Sequence, residues 1–172
     1  MREVIDAAVT QSDNTAGNLF IGLAGGPRGL DLRLARIGDE VISVDRREPA
    51  LNSAVPGDTR DTTTPEALAT TLGELVLGDA LPAADRRLLL RTLRRSTTGA
   101  GLVRAAVPDG WVVGDKTGTS AYGGRNDVAV VHPPGREPLL VAVMTTHASP
   151  DAEPDDALVA TAARVALRAL ER

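Results

Sequence analysis

The run Lys116-Thr117-Gly118 combines an ammonium, a hydroxyl and a bare stretch of backbone, and Lys116 is the only lysine of the chain. Such a set suits the binding of a carboxylate, because glycine lets a ligand approach the main chain closely and the hydroxyl can donate beside the charge. A solvated lysine in a turn is the ordinary alternative. Arg125 follows nine positions after the lysine. It could bind the same anion through its guanidinium fork, or it could be a surface arginine paired with Asp127.

Two further runs carry polar side chains that could take part in catalysis. Ser12, Asp13 and Asn14 stand between two predicted helices, where a hydroxyl and an amide can both face a cleft. These residue types are also common helix N-caps, and we expect Asp13 to hold the turn. Glu48 lies four residues before Asn52 in a loop, and this carboxylate and amide could orient a water whose proton the glutamate takes as a general base. A loop glutamate without a function is the more common case.

In this order the three runs resemble the class A serine β-lactamases. S-D-N and K-T-G are two signatures of that family and of penicillin-binding proteins, and the glutamate run stands between them here. The resemblance covers nearly all 172 residues. It implies hydrolysis of the β-lactam amide through an acyl-enzyme, with no metal and no other cofactor. The site residues that it implies are the catalytic Ser12, Glu48 and Lys116, the substrate-binding Asn14, Asn52, Thr117, Gly118, Thr119 and Arg125, and the structural Asp13, Arg46 and Asp61.

The resemblance also implies what these residues do. Ser12 would relay a proton to the departing lactam nitrogen, and Asn14 would donate to the amide of the substrate side chain. Glu48 would activate the water that hydrolyses the acyl-enzyme. Lys116 would bind the β-lactam carboxylate together with the threonine beside it, and the main chain at Thr119 would contribute to the oxyanion hole.

The third signature of the family, Ser-x-x-Lys, carries the nucleophile and does not occur in this sequence. One hypothesis is therefore a β-lactamase whose N-terminal part is missing, a chain that would be inactive alone and would need that fragment as a partner. A second is a non-catalytic binder of β-lactams or peptidoglycan peptides. A third is a DD-peptidase relative of the penicillin-binding proteins. Glu48 argues against the third, because the resemblance implies that those enzymes lack a deacylating glutamate.

Composition argues against several other classes of function. The net charge is −4 at pH 7 and the sequence has no basic block, which argues against a nucleic-acid partner. The chain has no cysteine, and its two histidines are too few for a zinc site without carboxylate help. No apolar run reaches the length of a membrane span, and the N-terminus does not resemble a signal peptide. Members of the family are secreted or periplasmic monomers, so we expect a monomer and leave the localisation of this chain open.

Helices and one long loop must position the first two runs. Residues 1–107 predict a mostly helical part with an omega-type loop over residues 46–61, because residues 43–63 show no sustained hydrophobic period. The resemblance implies that an ion pair between Arg46 and Asp61 closes this loop and that the peptide bond after its glutamate is cis.

Strands must position the lysine run. Residues 108–172 predict a three-stranded antiparallel sheet and a C-terminal helix, with Lys116 just after the first strand, Trp111–Gly114. The predicted fold class is therefore α+β, and the resemblance makes it the β-lactamase and penicillin-binding-protein fold, truncated at the N-terminus to one incomplete unit. Because an apolar strand would then lie at the sheet edge, we expect marginal stability or aggregation.

Overall fold

The computed structural model describes residues 1–170, which form six α-helices, two 3-10 helices and one sheet of three strands. The α-helices are α1 (Arg2–Thr10), α2 (Asn14–Leu23), α3 (Gly26–Arg36), α4 (Pro65–Val76), α5 (Ala83–Arg94) and α6 (Asp156–Leu170). The strands are β1 (Val112–Ser120), β2 (Gly124–His132) and β3 (Leu139–Thr145), and the 3-10 helices are Ala50–Asn52 and Val103–Ala106. This order confirms the predicted α+β class. The last two residues of the predicted part 108–172 lie outside the described residues.

Side-chain caps define where two of the helices begin. Asp13 accepts a hydrogen bond of 2.7 Å from the main-chain N–H of Ala16 and so starts α2. Thr64 accepts one of 3.1 Å from the N–H of Ala67 and so starts α4. No helix among residues 1–170 is long and apolar enough to span a membrane.

The three strands form an antiparallel sheet in the order β1-β2-β3. The expectation that the first strand ends at Gly114 is wrong, because β1 continues to Ser120 and Lys116 lies at its centre, opposite Val128. Nine consecutive residue pairs join β1 to β2. Pairing along the whole ladder outweighs the weak strand preference of aspartate, lysine and glycine.

The sheet separates two hydrophobic cores, and alternate residues of β2 contribute to each of them. One face packs on α4 and α5, and its buried core consists of Leu72, Val76, Leu93, Val128 and Val130. The other face packs on α6, and its buried core consists of Val103, Ala106, Val113, Ala129, Val131, Val141, Ala163 and Leu167. Helices on both sides thus fix β1 as a rigid support for the lysine run.

Candidate active site

A cleft of about 500 Å³ lies where the α1–α2 turn, the long loop and the second half of β1 meet. It brings together side chains that are far apart in the sequence. The predicted residues that line it are Ser12, Asp13, Asn14, Glu48, Asn52, Lys116, Thr117, Gly118, Thr119 and Arg125. Arg46 and Asp61 line a neighbouring cavity behind the loop instead.

The lysine of β1 reaches across the cleft to the serine of the α1–α2 turn. Nζ of Lys116 donates to Oγ of Ser12 at 2.7 Å, and also to the carbonyl oxygen of the next residue in its own strand. Burial lowers the pKa of Lys116, whereas the carboxylates of Asp115, Asp127 and Glu48 act in the opposite direction. The protonated state of Lys116 is therefore stabilised by the negative charges around it.

Two asparagine side chains hold the glutamate of the long loop. Nδ2 of Asn52 donates to Oε2 of Glu48, which aims the carboxylate along the loop. The side chain of Asn18 on α2 bonds both main-chain groups of Glu48, accepting from its N–H at 2.9 Å and donating to its carbonyl oxygen at 3.0 Å. The Glu48–Pro49 peptide bond is cis. Glu48 is thus tied both to its own loop and to the helix that begins at the Ser-Asp-Asn turn.

An ion pair joins the two ends of the loop. Nε of Arg46 donates to Oδ2 of Asp61, and the side chains are 21% and 6% exposed. Oδ1 of Asp61 also accepts from the main-chain N–H groups of Asp45 and Arg46. Burial tends to raise the pKa of Asp61, but the hydrogen bonds from Arg46 and Asp45 outweigh it and leave the pKa below its ordinary value.

The second cation of the site is bound by residues around the β1–β2 end of the sheet. Nε of Arg125 donates to Oδ1 of Asp156 at 2.6 Å, and Nη1 donates to Oγ1 of Thr119 at 2.9 Å. The alternative of a surface pair between Arg125 and Asp127 is wrong, because Asp127 is buried and accepts from the main chain of Val103. Arg125 is held over the part of β1 that follows the lysine.

Sequence reasoning missed two residues that support or line this cleft, Asn18 and Thr98. Asn18 holds the main chain of Glu48, and it stands one helical turn after Asn14, a spacing that could have indicated a shared face of α2. Thr98 lines the cleft, and its Oγ1 lies 2.7 Å from Oγ1 of Thr117. Thr98 belongs to an irregular segment between α5 and β1, and no sequence pattern marks it.

Metal chemistry receives no support from the described residues. Residues 1–170 contain no group of three or more histidine, cysteine, aspartate or glutamate side chains that could hold an ion. The polar groups of the cleft instead comprise two carboxylates, an ammonium, a guanidinium, hydroxyls and amides. This set can bind an anionic substrate and move protons.

An α+β fold whose cleft joins S-D-N, a loop glutamate and K-T-G is the arrangement of a serine β-lactamase. Residues 1–170 match the model of the β-lactamase enzyme family, and the chain belongs to this family. The match confirms the resemblance to class A serine β-lactamases inferred from the sequence.

Individual relatives agree with this assignment. The chain is 61% identical over 170 residues to a β-lactamase of Amycolatopsis lactamdurans, covering 99% of this chain and 56% of that protein. It is 53% identical over 170 residues to β-lactamase AST-1 of Nocardia asteroides, covering 99% and 55% of the two. A crystal structure of a halotolerant bacterial β-lactamase superimposes with a TM-score of 0.98 at 49% identity, covering 99% of this chain and 66% of that one. The chain thus spans about half the length of these curated relatives.

Proposed function

We propose that this chain forms the substrate-binding and deacylating part of a class A serine β-lactamase. The observation that carries the proposal is the convergence of Ser12, Glu48 and Lys116 in one cleft. A β-lactam carries a carboxylate beside its strained amide. The proposed function therefore needs a cation that binds the carboxylate and groups that transfer protons when the amide is cleaved. The family assignment of residues 1–170 supports the same chemistry.

The carboxylate of the β-lactam binds to Lys116 and Thr117, with Arg125 as the second cation. Support comes from the position of Lys116 at the centre of a fully paired strand, which fixes its main chain. Gly118 leaves room for the substrate beside the strand, and the main-chain N–H of Thr119 serves the oxyanion. The carboxylate competes with Ser12 and a carbonyl oxygen for the ammonium hydrogens.

Ser12 transfers a proton to the lactam nitrogen when the carbon–nitrogen bond breaks. Its Oγ accepts from the Lys116 ammonium, which leaves its own O–H free to donate. The positive charge beside it stabilises the oxygen as its proton leaves. Asn14, two residues after this serine and the first residue of α2, donates to the side-chain amide of the substrate.

Glu48 acts as the general base of deacylation. It takes a proton from a water that Asn52 helps to orient, and the water oxygen attacks the acyl carbonyl carbon. The ester bond then breaks, and the proton passes on to the departing nucleophile oxygen. The Asn18 contacts and the Arg46–Asp61 pair support this role because they fix the loop that carries the glutamate.

Turnover also needs a nucleophile, which in this family lies in Ser-x-x-Lys. The 172 residues contain no such motif, so we propose that hydrolysis requires a further segment that bears it. We expect the functional unit to be a monomer that acts where the family acts, in the periplasm or outside the cell.

Reconstitution tests this proposal. The chain is co-expressed with the part of the Amycolatopsis lactamdurans β-lactamase that it does not match, and hydrolysis of a chromogenic cephalosporin is followed. We expect hydrolysis from the pair and none from either piece alone. Saturable binding of the cephalosporin by the pair without hydrolysis or a covalent adduct would favour the non-catalytic binder instead.

A further inference from the structure

Two aspartates are buried on the α6 face of the sheet, behind the strand that carries the lysine. Asp115 on β1 is 0% exposed and Asp127 on β2 is 1% exposed. In the β1–β2 register Asp115 lies opposite Ala129, and Asp127 lies opposite Thr117. The two aspartates are therefore diagonal neighbours on one face, and the charge of Asp115 acts on Asp127.

The available hydrogen-bond donors satisfy only half of their four oxygens. Oδ1 of Asp115 accepts from Nε of Arg104 at 2.6 Å, and Oδ2 of Asp127 accepts from the N–H of Val103 at 3.1 Å. Oδ2 of Asp115 and Oδ1 of Asp127 are buried and have no partner among the described residues. Oδ2 of Asp115 lies against Gly99, where a Cβ atom would come within 1.7 Å of it. A buried carboxylate oxygen that has no hydrogen-bond donor favours the protonated form of its carboxyl group.

We propose that Asp115 and Asp127 share a single proton near neutral pH, held on Asp127, and that the remaining charge on Asp115 keeps Lys116 protonated. Arg104 is the guanidinium that pairs with Asp115 directly, so a second full negative charge beside it would be buried without a counter-ion. Asp115 acts through its charge and is a positioning residue rather than a group that touches substrate.

The charges around the pair assign the proton to Asp127. Burial and the neighbouring charge of Asp115 raise the pKa of Asp127 to about 7. Burial also raises the pKa of Asp115, but hydrogen bonding to Arg104 opposes this and favours the ionised form there. The other charged groups near the pair are Lys116 on β1 and Arg125 on β2.

Asp156 on α6 completes this set, and Arg125 binds it. Its negative charge partly offsets that of Arg125, whereas Arg104 pairs with Asp115 directly.

The effect of the charge on Asp115 can be measured through proton binding by Lys116, followed by NMR. With ¹³C-labelled lysine the protein gives one side-chain Cε resonance, because Lys116 is the only lysine, and its shift against pH reports proton binding. We expect Asp115→Asn to weaken proton binding by Lys116 about tenfold or more. Asp127→Asn should weaken it less, because Asp115 is directly next to Lys116 in the chain whereas Asp127 lies on the neighbouring strand. Equal weakening in both variants would overturn the proposal.

Stability against pH and infrared spectroscopy give two readouts that do not need Asp115→Asn to fold. A raised pKa means that folding binds the proton of Asp127, so its contribution to stability is present at pH 4 and is lost as pH rises towards 7. Asp127→Asn should abolish this decline in the unfolding midpoint and remove a protonated-carboxyl stretching band at pH 6. Asp109→Asn, an exposed control on the approach to β1, should do neither.

Persistence of the band and of the decline in Asp127→Asn would contradict the assignment of the proton. None of these measurements uses catalytic activity, so a negative result would leave the proposed function standing.

Discussion

Glu48 is the residue whose proposed chemistry is most specific. Its carboxylate accepts from Asn52, and its main chain is held by Asn18. In the reconstituted pair we expect Glu48→Gln to slow deacylation by about a hundredfold to ten-thousandfold, because an amide cannot take the proton of the water. Intact-mass measurements should then find the acyl-enzyme accumulating on the nucleophile-bearing segment.

Glu40→Gln is the matched control for this experiment, since Glu40 is exposed and does not line the cleft. It should retain wild-type turnover. Equal turnover by Glu48→Gln would show that the general base lies elsewhere.

Gly99 is a position where the buried aspartate leaves no room for a side chain. A Cβ atom at this residue would lie 1.7 Å from Oδ2 of Asp115. We predict that Gly99→Ala lowers the free energy of unfolding by about 1–3 kcal/mol, as overpacking does, measured by urea denaturation. Gly17→Ala is the control, because nothing lies within 4 Å of the Cβ it would add and alanine favours the helix. Equal stability of the two variants would contradict the tight fit.

At the residue scale, the sequence predicted functional residues only where they belong to a recognisable motif. Ser12, Glu48 and Lys116 belong to short runs with a known chemistry, and these side chains do line one cleft. Asn18 and Thr98 act through contacts across the fold, 30 and 19 residues away along the chain. No local sequence pattern predicts such contacts.

The long loop is the element whose order depends on one buried interaction. Arg46→Ala removes the guanidinium from Asp61 and leaves a nearly buried carboxylate without its charged partner. We expect residues 43–63 to lose protection from hydrogen exchange. The free energy of local opening should fall by about 2 kcal/mol, a typical value for a hydrogen bond to a charged group. The exposed Arg36→Ala should leave the loop unchanged. Unchanged protection in Arg46→Ala would mean that other contacts suffice to order the loop.

The same pair should make the loop sensitive to acid. The pKa of Asp61 is lower in the folded loop than its ordinary value, because hydrogen bonds from Arg46 outweigh the effect of burial. Its contribution is therefore complete above the ordinary pKa of aspartate and is lost as pH falls through the lowered value. Loop protection, corrected for intrinsic exchange rates, should decrease below about pH 4 in wild type. A decrease of the same size in Asp61→Asn would contradict this origin.

The elements were predictable to different degrees. The expectation that Asp13 holds the turn located the start of α2, where its side chain accepts a hydrogen bond from the first turn. The length of β1 was underestimated, because the residues around Lys116 have weak strand propensity and the pairing with β2 that extends the strand is non-local.

At the scale of the whole molecule, several large apolar side chains are exposed. Val165 and Leu158 on α6 are 66% and 44% exposed, and among the described residues β3 pairs only with β2. We therefore predict a weak thermal transition, binding of a hydrophobic dye and aggregation at high concentration. A cooperative transition with little dye binding by a monomeric chain would contradict this prediction.

The sequence identified the family and fold class because three motifs and the order of elements are both linear features. It could not identify the buried pair of Asp115 and Asp127, because their neighbourhood depends on the register between two strands. Nor could it reveal that Arg125 binds Asp156, which follows from the docking of α6. Linear patterns thus predicted which residues meet in the cleft, whereas the charges behind it required the three-dimensional structure.

The most direct test of the central claim is whether the cleft binds a β-lactam through its carboxylate. Benzylpenicillin and its methyl ester are titrated separately into ¹³C-lysine-labelled protein, and the resonance of Lys116, the only lysine, is followed. We predict a saturable, reversible shift with the free acid and at least about tenfold weaker binding of the ester, since the ester removes the charge that the ammonium recognises. No shift with either compound, or equal binding of both, would contradict the assignment of this cleft as a β-lactam site.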